Sequence, residues 1–223
     1  MKKKIILMSV AAVLAMTAIV GGTLAGFNTE SKQGKTDIST KALGIELNGG
    51  SFVLSEESLV SNACMPGSEV EMPYYVTNNV ADGYELYTRV TIYKYWEDLQ
   101  NTALEAGKIS LYAKDAAGNA VKLAVDGTTG EAAKVGDWFV QYADEEQIVL
   151  YYARPLASGE QTTNVLDYLV IDEKVGNAYT NQKVKLDIEV DAVQKIAAES
   201  SIPSEWGVYP SFDENGNIVA IAE

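Results

Sequence analysis

Residues 183–193 read Lys-Val-Lys-Leu-Asp-Ile-Glu-Val-Asp-Ala-Val and alternate with a period of two. Val184, Leu186, Ile188, Val190 and Ala192 fall on one side, and Lys185, Asp187, Glu189 and Asp191 on the other. That is a β-strand with one face in a core and one in water. Residues 84–96 repeat the pattern, with Leu86, Val90, Ile92 and Trp96 on one side and Glu85, Arg89 and Thr91 on the other. Shorter strand candidates are 43–47, 51–54, 70–77, 109–113, 121–125, 138–142, 148–153 and 165–171.

Turn chemistry separates these runs. Asp115-Ala116-Ala117-Gly118-Asn119, Ala143-Asp144-Glu145-Glu146 and Asp213-Glu214-Asn215-Gly216-Asn217 read as hairpin loops, the last leading into a strand at 218–221. Pro66-Gly67, Asp82-Gly83, Asp126-Gly127 and Ser158-Gly159 punctuate the rest. Helical pattern is confined to 96–106 and 193–200. About ten short strands with frequent turns predict an all-β fold: a two-sheet antiparallel sandwich of jelly-roll type with one or two short helices. Residues 42–223 form its single domain. Residues 28–40 are polar and carry no core pattern, so 27–41 is expected to be a flexible N-terminal segment.

The chain opens with Lys2, Lys3 and Lys4, an apolar stretch from Ile5 to Val20, and the small residues Gly21, Gly22, Thr23, Leu24, Ala25 and Gly26 before Phe27. A basic start, an apolar core and a small-residue exit make a signal peptide, 1–26. The apolar stretch is short for a membrane span, and no second long one follows. The small-residue rule by itself places the cut after Ala25; a cut after Gly26 is the other candidate. The expected location is outside the cell, with no membrane contact after cleavage.

The chain carries 17 Lys and Arg against 31 Asp and Glu, a formal charge of −14. The signal region removes lysines only, so the exported part is more acidic still. Such a surface disfavours nucleic acid and anionic lipid. The single cysteine, Cys64, excludes a disulfide framework and reads as a buried small apolar residue, with pairing between molecules as the alternative.

There is no histidine. A helical two-histidine zinc protease site and Ser-His-Asp or Cys-His catalysis are therefore impossible. No catalytic motif is present, and the expectation is that the protein is not an enzyme and needs no cofactor. Residues 213–217 faintly resemble a calcium loop but lack its twelfth-position glutamate, so an Asn-Gly turn is the better reading and calcium has no motif behind it. Of 13 tyrosines, Tyr74, Tyr75, Tyr84, Tyr87, Tyr93, Tyr95, Tyr151 and Tyr152 cluster in strands. Tyrosine suits strands, ring packed and hydroxyl wet; a sugar-binding or self-association face is the functional alternative.

Three stretches together resemble the TasA/camelysin family of Gram-positive secreted proteins. Gly21-Gly22-Thr23-Leu24-Ala25-Gly26-Phe27-Asn28 is similar to the family's signal end, which a SipW-type signal peptidase cuts just before the Phe. Met65-Pro66-Gly67-Ser68-Glu69 followed by Val76-Thr77-Asn78-Asn79 resembles its Pro-Gly turn and the strand ending in Asn. Pro155-Leu156-Ala157-Ser158-Gly159-Glu160-Gln161-Thr162 and Ile188-Glu189-Val190-Asp191-Ala192-Val193-Gln194 are similar to patterns of clostridial members. The resemblance moves the cut to between Gly26 and Phe27. It implies a jelly roll and a biofilm matrix or cell-surface fibre subunit. It also implies self-association in which the freed N-terminal segment, with Phe27, Asn28, Ile38 and Lys41, completes a neighbour's sheet. Other matrix components are further candidate partners. Some members are described as metalloproteases; without histidine that activity is not carried over. A monomeric module binding glycan or protein is the alternative, and a camelysin-like protease ranks behind it.

Overall fold

The computed structural model describes residues 39–40, 45–49, 66–67, 69–80, 83–97, 103–127, 129, 131–179 and 182–222. Among the described residues thirteen strands follow one another: β1 (Ser39–Thr40), β2 (Ile45–Gly49), β3 (Glu69–Asn78), β4 (Leu86–Glu97), β5 (Ile109–Lys114), β6 (Ala120–Lys122), β7 (Ala133–Val135), β8 (Trp138–Ala143), β9 (Gln147–Tyr152), β10 (Leu166–Ile171), β11 (Lys183–Gln194), β12 (Tyr209–Phe212) and β13 (Ile218–Ala222). One sheet has the order β1-β2-β3-β10-β5-β6, the second β11-β4-β9-β8-β7, and β12-β13 is a separate hairpin. Every pairing is antiparallel. In both large sheets a late strand lies between two early ones, β10 between β3 and β5, and β9 between β4 and β8. This interleaving gives the sandwich its jelly-roll winding.

The stretch that decided the fold class, residues 183–193, lies within β11 and pairs with β4 along its whole length, Lys183 opposite Glu97 and Gln194 opposite Leu86. Ile188, Val190 and Ala192 are buried, while Asp187 and Glu189 are exposed. Val90, Ile92, Val140, Leu150, Leu166 and Val76 meet them between the sheets, all fully buried. Each such aliphatic side chain stabilises the fold by roughly 2 kcal/mol.

Two helix expectations shift. Residues 96–106 are not helical where described: Trp96 belongs to β4, opposite Val184, and its Nε1 donates to the Glu105 carbonyl at 3.0 Å. Only Ala106–Lys108 makes a single tight turn. Residues 193–200 begin as strand. Val193 and Gln194 remain paired with β4, and three helical turns then run through Lys195–Ala197, Ala198–Ser201 and Ile202–Trp206. Strand pairing outweighs the weak local helical pattern at both places. The strand candidate 121–125 ends at Lys122, and Leu123 tucks into the core. Residues 51–54 and Cys64 lie outside the described residues.

A third layer follows from the last 29 residues. Tyr87, Phe139, Tyr151 and Val193, on the outer face of the second sheet, pack with Ala198, Ile202, Val208 and Ile218 into a second core. The Glu85–Arg89–Thr91 side of β4 is therefore covered in part: Thr91 is buried, and Arg89 bonds Asp191 at 2.6 Å with Trp206 against its guanidinium. Tyr87 pins this layer by donating its hydroxyl to the Gly216 carbonyl at 2.6 Å.

Burial, with the charges of Glu85 and Asp213, pushes the Tyr87 hydroxyl up from 10.0 to about 12. The folded chain thus keeps a proton that the unfolded chain releases, so stability contributed by this group is complete below pH 10 and lost as pH rises towards 12. Tyr87→Phe is expected to lower stability by about 1 kcal/mol at neutral pH. It also flattens the alkaline decline in urea unfolding midpoints; an unchanged decline would remove Tyr87 as its source.

Candidate functional site

Gly26 and Phe27, at the expected cleavage point, and Asn28, Ile38 and Lys41, of the expected assembly segment, lie outside the described residues. The two residues between Ile38 and Lys41 are β1, which pairs with β2 of its own chain, Ser39 opposite Glu46 and Thr40 opposite Ile45. The sheet edge next to them has an unequal border. β2 pairs with residues 74–78 of β3 only, from Gly49 opposite Tyr74 to Ile45 opposite Asn78. Residues 69–73 of β3, held by β10 on the other side, have no partner strand there among the described residues. On the second sheet, β11 pairs with a strand on one side only among the described residues.

The second and third motif stretches meet. Residues 155–162 form a strap that crosses the ends of β3 and β4. Leu156 and Leu86 exchange both main-chain hydrogen bonds, at 2.7 and 3.0 Å. Asn78 accepts from Gly159 N–H through its carbonyl and donates its own N–H to Glu160. Its side chain, with no exposure, donates to the Tyr84 and Leu156 carbonyls at 2.9 and 2.8 Å and accepts from Val80 N–H at 3.0 Å. Thr162 donates its N–H to the Val76 carbonyl and accepts Val76 N–H on Oγ1. Buried polar groups persist only when bonded, and these two side chains are spent on main-chain groups. Gly159 supplies the turn, with φ +81°. Gly67 of the Pro-Gly turn, at φ +80°, donates to the Ile171 carbonyl and docks that turn on β10.

An open cleft of about 430 Å³ borders the strap, lined by residues that include Tyr152, Arg154, Leu156 and Glu160. Its one cation, Arg154, bonds Asp137 at 2.9 Å and the Tyr152 hydroxyl at 2.8 Å. At the far end of β4, Lys94 faces the core with 4 % exposure and donates to the main-chain carbonyls of Ala106 and Glu145. Burial holds its amine below the ordinary lysine value. Both cations knit loops to strands.

The loop at 213–217 is the turn that its sequence reads as. Asp213 Oδ1 accepts Asn215 and Asn217 N–H, and Oδ2 accepts the Asn217 side-chain amide at 2.8 Å. Asp115 does the same at 115–119 with Ala117 and Asn119. The Asn217 side-chain bond leads the causes that hold the Asp213 carboxyl below its usual range. Both loops share Asp-x-x-Gly-Asn and spend the carboxylate on their own amides. Among the described residues no group of three or more His, Cys, Asp or Glu could hold a metal ion.

Among the tyrosines of the strand cluster, Tyr74, Tyr87, Tyr151 and Tyr152 are buried, Tyr75 and Tyr93 are half-buried, and Tyr84 and Tyr95 are exposed. The period-two reading picks out Tyr112 and Tyr168 less readily, since they sit out of phase with Leu111 and Leu169 in strands that read as core. Both are half-buried on the outer face of the first sheet, directly opposite each other.

No family model matches the chain, and no curated protein matches it. A solved structure described as "AvmM Catalyzes Macrocyclization in Alchivemycin A Biosynthesis" is similar over 72 % of this chain and 94 % of its own, at 12 % identity and a TM-score of 0.34. At that distance the similarity carries no argument about this chain.

Proposed function

We propose that the protein is a secreted structural subunit of a biofilm matrix or cell-surface fibre. Removal of 1–26 frees the segment 27–41, which exchanges the pairing of Ser39 and Thr40 with its own β2 for a sheet edge of the next subunit. On this reading assembly is non-covalent, needs no cofactor and involves no catalysis.

The observation that carries the reading is β1: Ser39 and Thr40, inside the segment, form an edge strand on β2. A row of unpaired N–H and C=O groups accepts an added strand, because main-chain hydrogen bonds form whatever the donor's side chains. The edge of β2 that takes Ser39 and Thr40 is the edge to which the same segment of a neighbour would add. The signal end at 21–28 and its resemblance to the TasA/camelysin pattern support the export step.

Electron microscopy of the chain beginning at Phe27, beside a chain lacking 27–41, tests this. Fibres from the first and none from the second are expected. Equal polymerisation by both, or none by either, defeats strand donation.

A further inference from the structure

Each large sheet ends in two edge strands, β1 and β6 in the first and β11 and β7 in the second. β1, β6 and β7 have two, three and three residues. β11 has twelve. A short edge strand protects a sheet from pairing with another chain, and a long one invites it. β4 holds one side of β11 along its whole length, and no strand holds the other side among the described residues.

The two halves of β11 differ. In the second half Ile188, Val190 and Ala192 are buried inward, and the third layer packs on Val193 outward. In the first half Val184 and Leu186 pack on the core but stay half-buried. The stretch that begins there reads Lys183-Val184-Lys185-Leu186-Asp187-Ile188-Glu189. Its charges change sign about Leu186, with two lysines before it and two acids after it at matching positions, and with Val184 matched to Ile188. An antiparallel copy related by a two-fold axis at Leu186 therefore sets Lys183 opposite Glu189 and Lys185 opposite Asp187, each twice, with no like charges opposed. Moving the axis by one residue sets either Lys185 or Asp187 against itself. The four charges sum to zero on a chain of −14, so two copies meet here without net repulsion. Among the described residues neither Lys183 nor Glu189 has an ion-pair partner. Lys185 reaches Glu97 at 3.5 Å, and Asp187 accepts the Tyr95 hydroxyl on Oδ2, which leaves its Oδ1.

We infer that β11 pairs antiparallel with β11 of a second copy of this chain, about a two-fold axis at Leu186, and so joins two five-stranded sheets into one. The contact is isologous, the same strand serving on both copies. Main-chain hydrogen bonds hold the two edges together, and the opposed charges fix their register. On the inward side Leu186 meets its own counterpart and Val184 meets Ile188, which covers the half-buried end of the core. The inference rests on β11 alone and stands whether or not 27–41 joins a neighbour.

Sedimentation velocity on the chain beginning at Phe27, below the concentration at which light scattering detects fibres, tests it. A concentration-dependent equilibrium of monomer and dimer is expected. Lys183→Glu with Lys185→Glu makes the stretch wholly acidic, and Asp187→Lys with Glu189→Lys makes it wholly basic. Each double variant by itself is expected to dimerise at least about tenfold more weakly, since every opposed pair becomes like-charged. Mixed in equal amounts, the two restore dimerisation, because each then meets opposite charges in the same register. Lys122→Glu with Lys174→Glu, which changes net charge as much as the first double variant at exposed positions elsewhere, leaves the equilibrium unchanged. A chain that stays monomeric across the series overturns the inference. So does either double variant dimerising as well as the parent, or a mixture dimerising no better than its components.

Discussion

Asn78→Ala is expected to lower the melting temperature by about 10 °C, with the strap at 155–162 the first part to lose hydrogen-exchange protection. The Asn78 side chain satisfies three main-chain groups at once, the Tyr84 and Leu156 carbonyls and the Val80 N–H, and is wholly buried. Alanine leaves all three without that partner, the Leu156 carbonyl in a buried place and the other two in part-buried ones. Each orphaned group costs about 1 kcal/mol or more, so the loss is roughly 3–5 kcal/mol. For a domain of this size each kcal/mol moves the midpoint by about 2–4 °C. Asn78→Asp gives a sharper test. Its carboxylate still accepts from Val80 but faces two carbonyls that need donors. That variant is expected to be destabilised more than Asn78→Ala at neutral pH and to recover as pH falls and the carboxyl takes a proton. A change of under 3 °C in Asn78→Ala, measured by calorimetry, would show that the strap is held by its main-chain bonds alone.

Trp138→Ala has the other large effect, a loss of about 3–5 kcal/mol. Trp138 opens β8 with 1 % exposure, and its ring lies 5.0 Å from that of Tyr152. Its Nε1 donates to the Thr163 carbonyl at 3.2 Å. Deleting the ring leaves a cavity in the core beside Tyr152 and frees the chain between β9 and β10. The Tyr152 hydroxyl accepts from Thr163 N–H and from Arg154, so the wall of the strap's cleft loosens with it. Trp138→Phe is expected to restore most of the packing and leave a deficit of about 1 kcal/mol for the orphaned carbonyl. Urea unfolding of the pair checks this; equal losses in both would assign the effect to the hydrogen bond and not to the ring.

Strand identity and facing are legible because side-chain direction in a strand has a period of two. Val184, Leu186, Ile188, Val190 and Ala192 announce one face of β11 whatever lies beside it. The hairpin loops are equally local: Asp115 and Asp213 close their own turns through bonds to residues two and four positions on. The errors fall where a distant partner outweighs a local pattern. Trp96 and Val193 each close a strand pattern and open a helical one, and only Val184 opposite Trp96 and Tyr87 opposite Val193 decide both as strand.

The candidate sites divide in the same way. The motif stretches around Asn78 and at 155–162 are visible as sequence, but their mutual use is not. Asn78 and Leu156 are 78 positions apart, and Val76 and Thr162 are 86 apart. Tyr112 and Tyr168 read as two unremarkable strand residues until β10 is laid against β5.

By itself, then, the sequence determines an all-β chain, the inward and outward faces of its strands, its tight turns and its acidic balance, since each depends on neighbours a few residues away. The tertiary structure decides the order of strands in each sheet, the covering of one outer face by residues 195–222, and the placing of Tyr112 opposite Tyr168 on the other. Alternation fixes which way a side chain points, but hydrogen bonding between strands is blind to sequence. Neighbours are therefore chosen only by how the whole set of apolar faces packs.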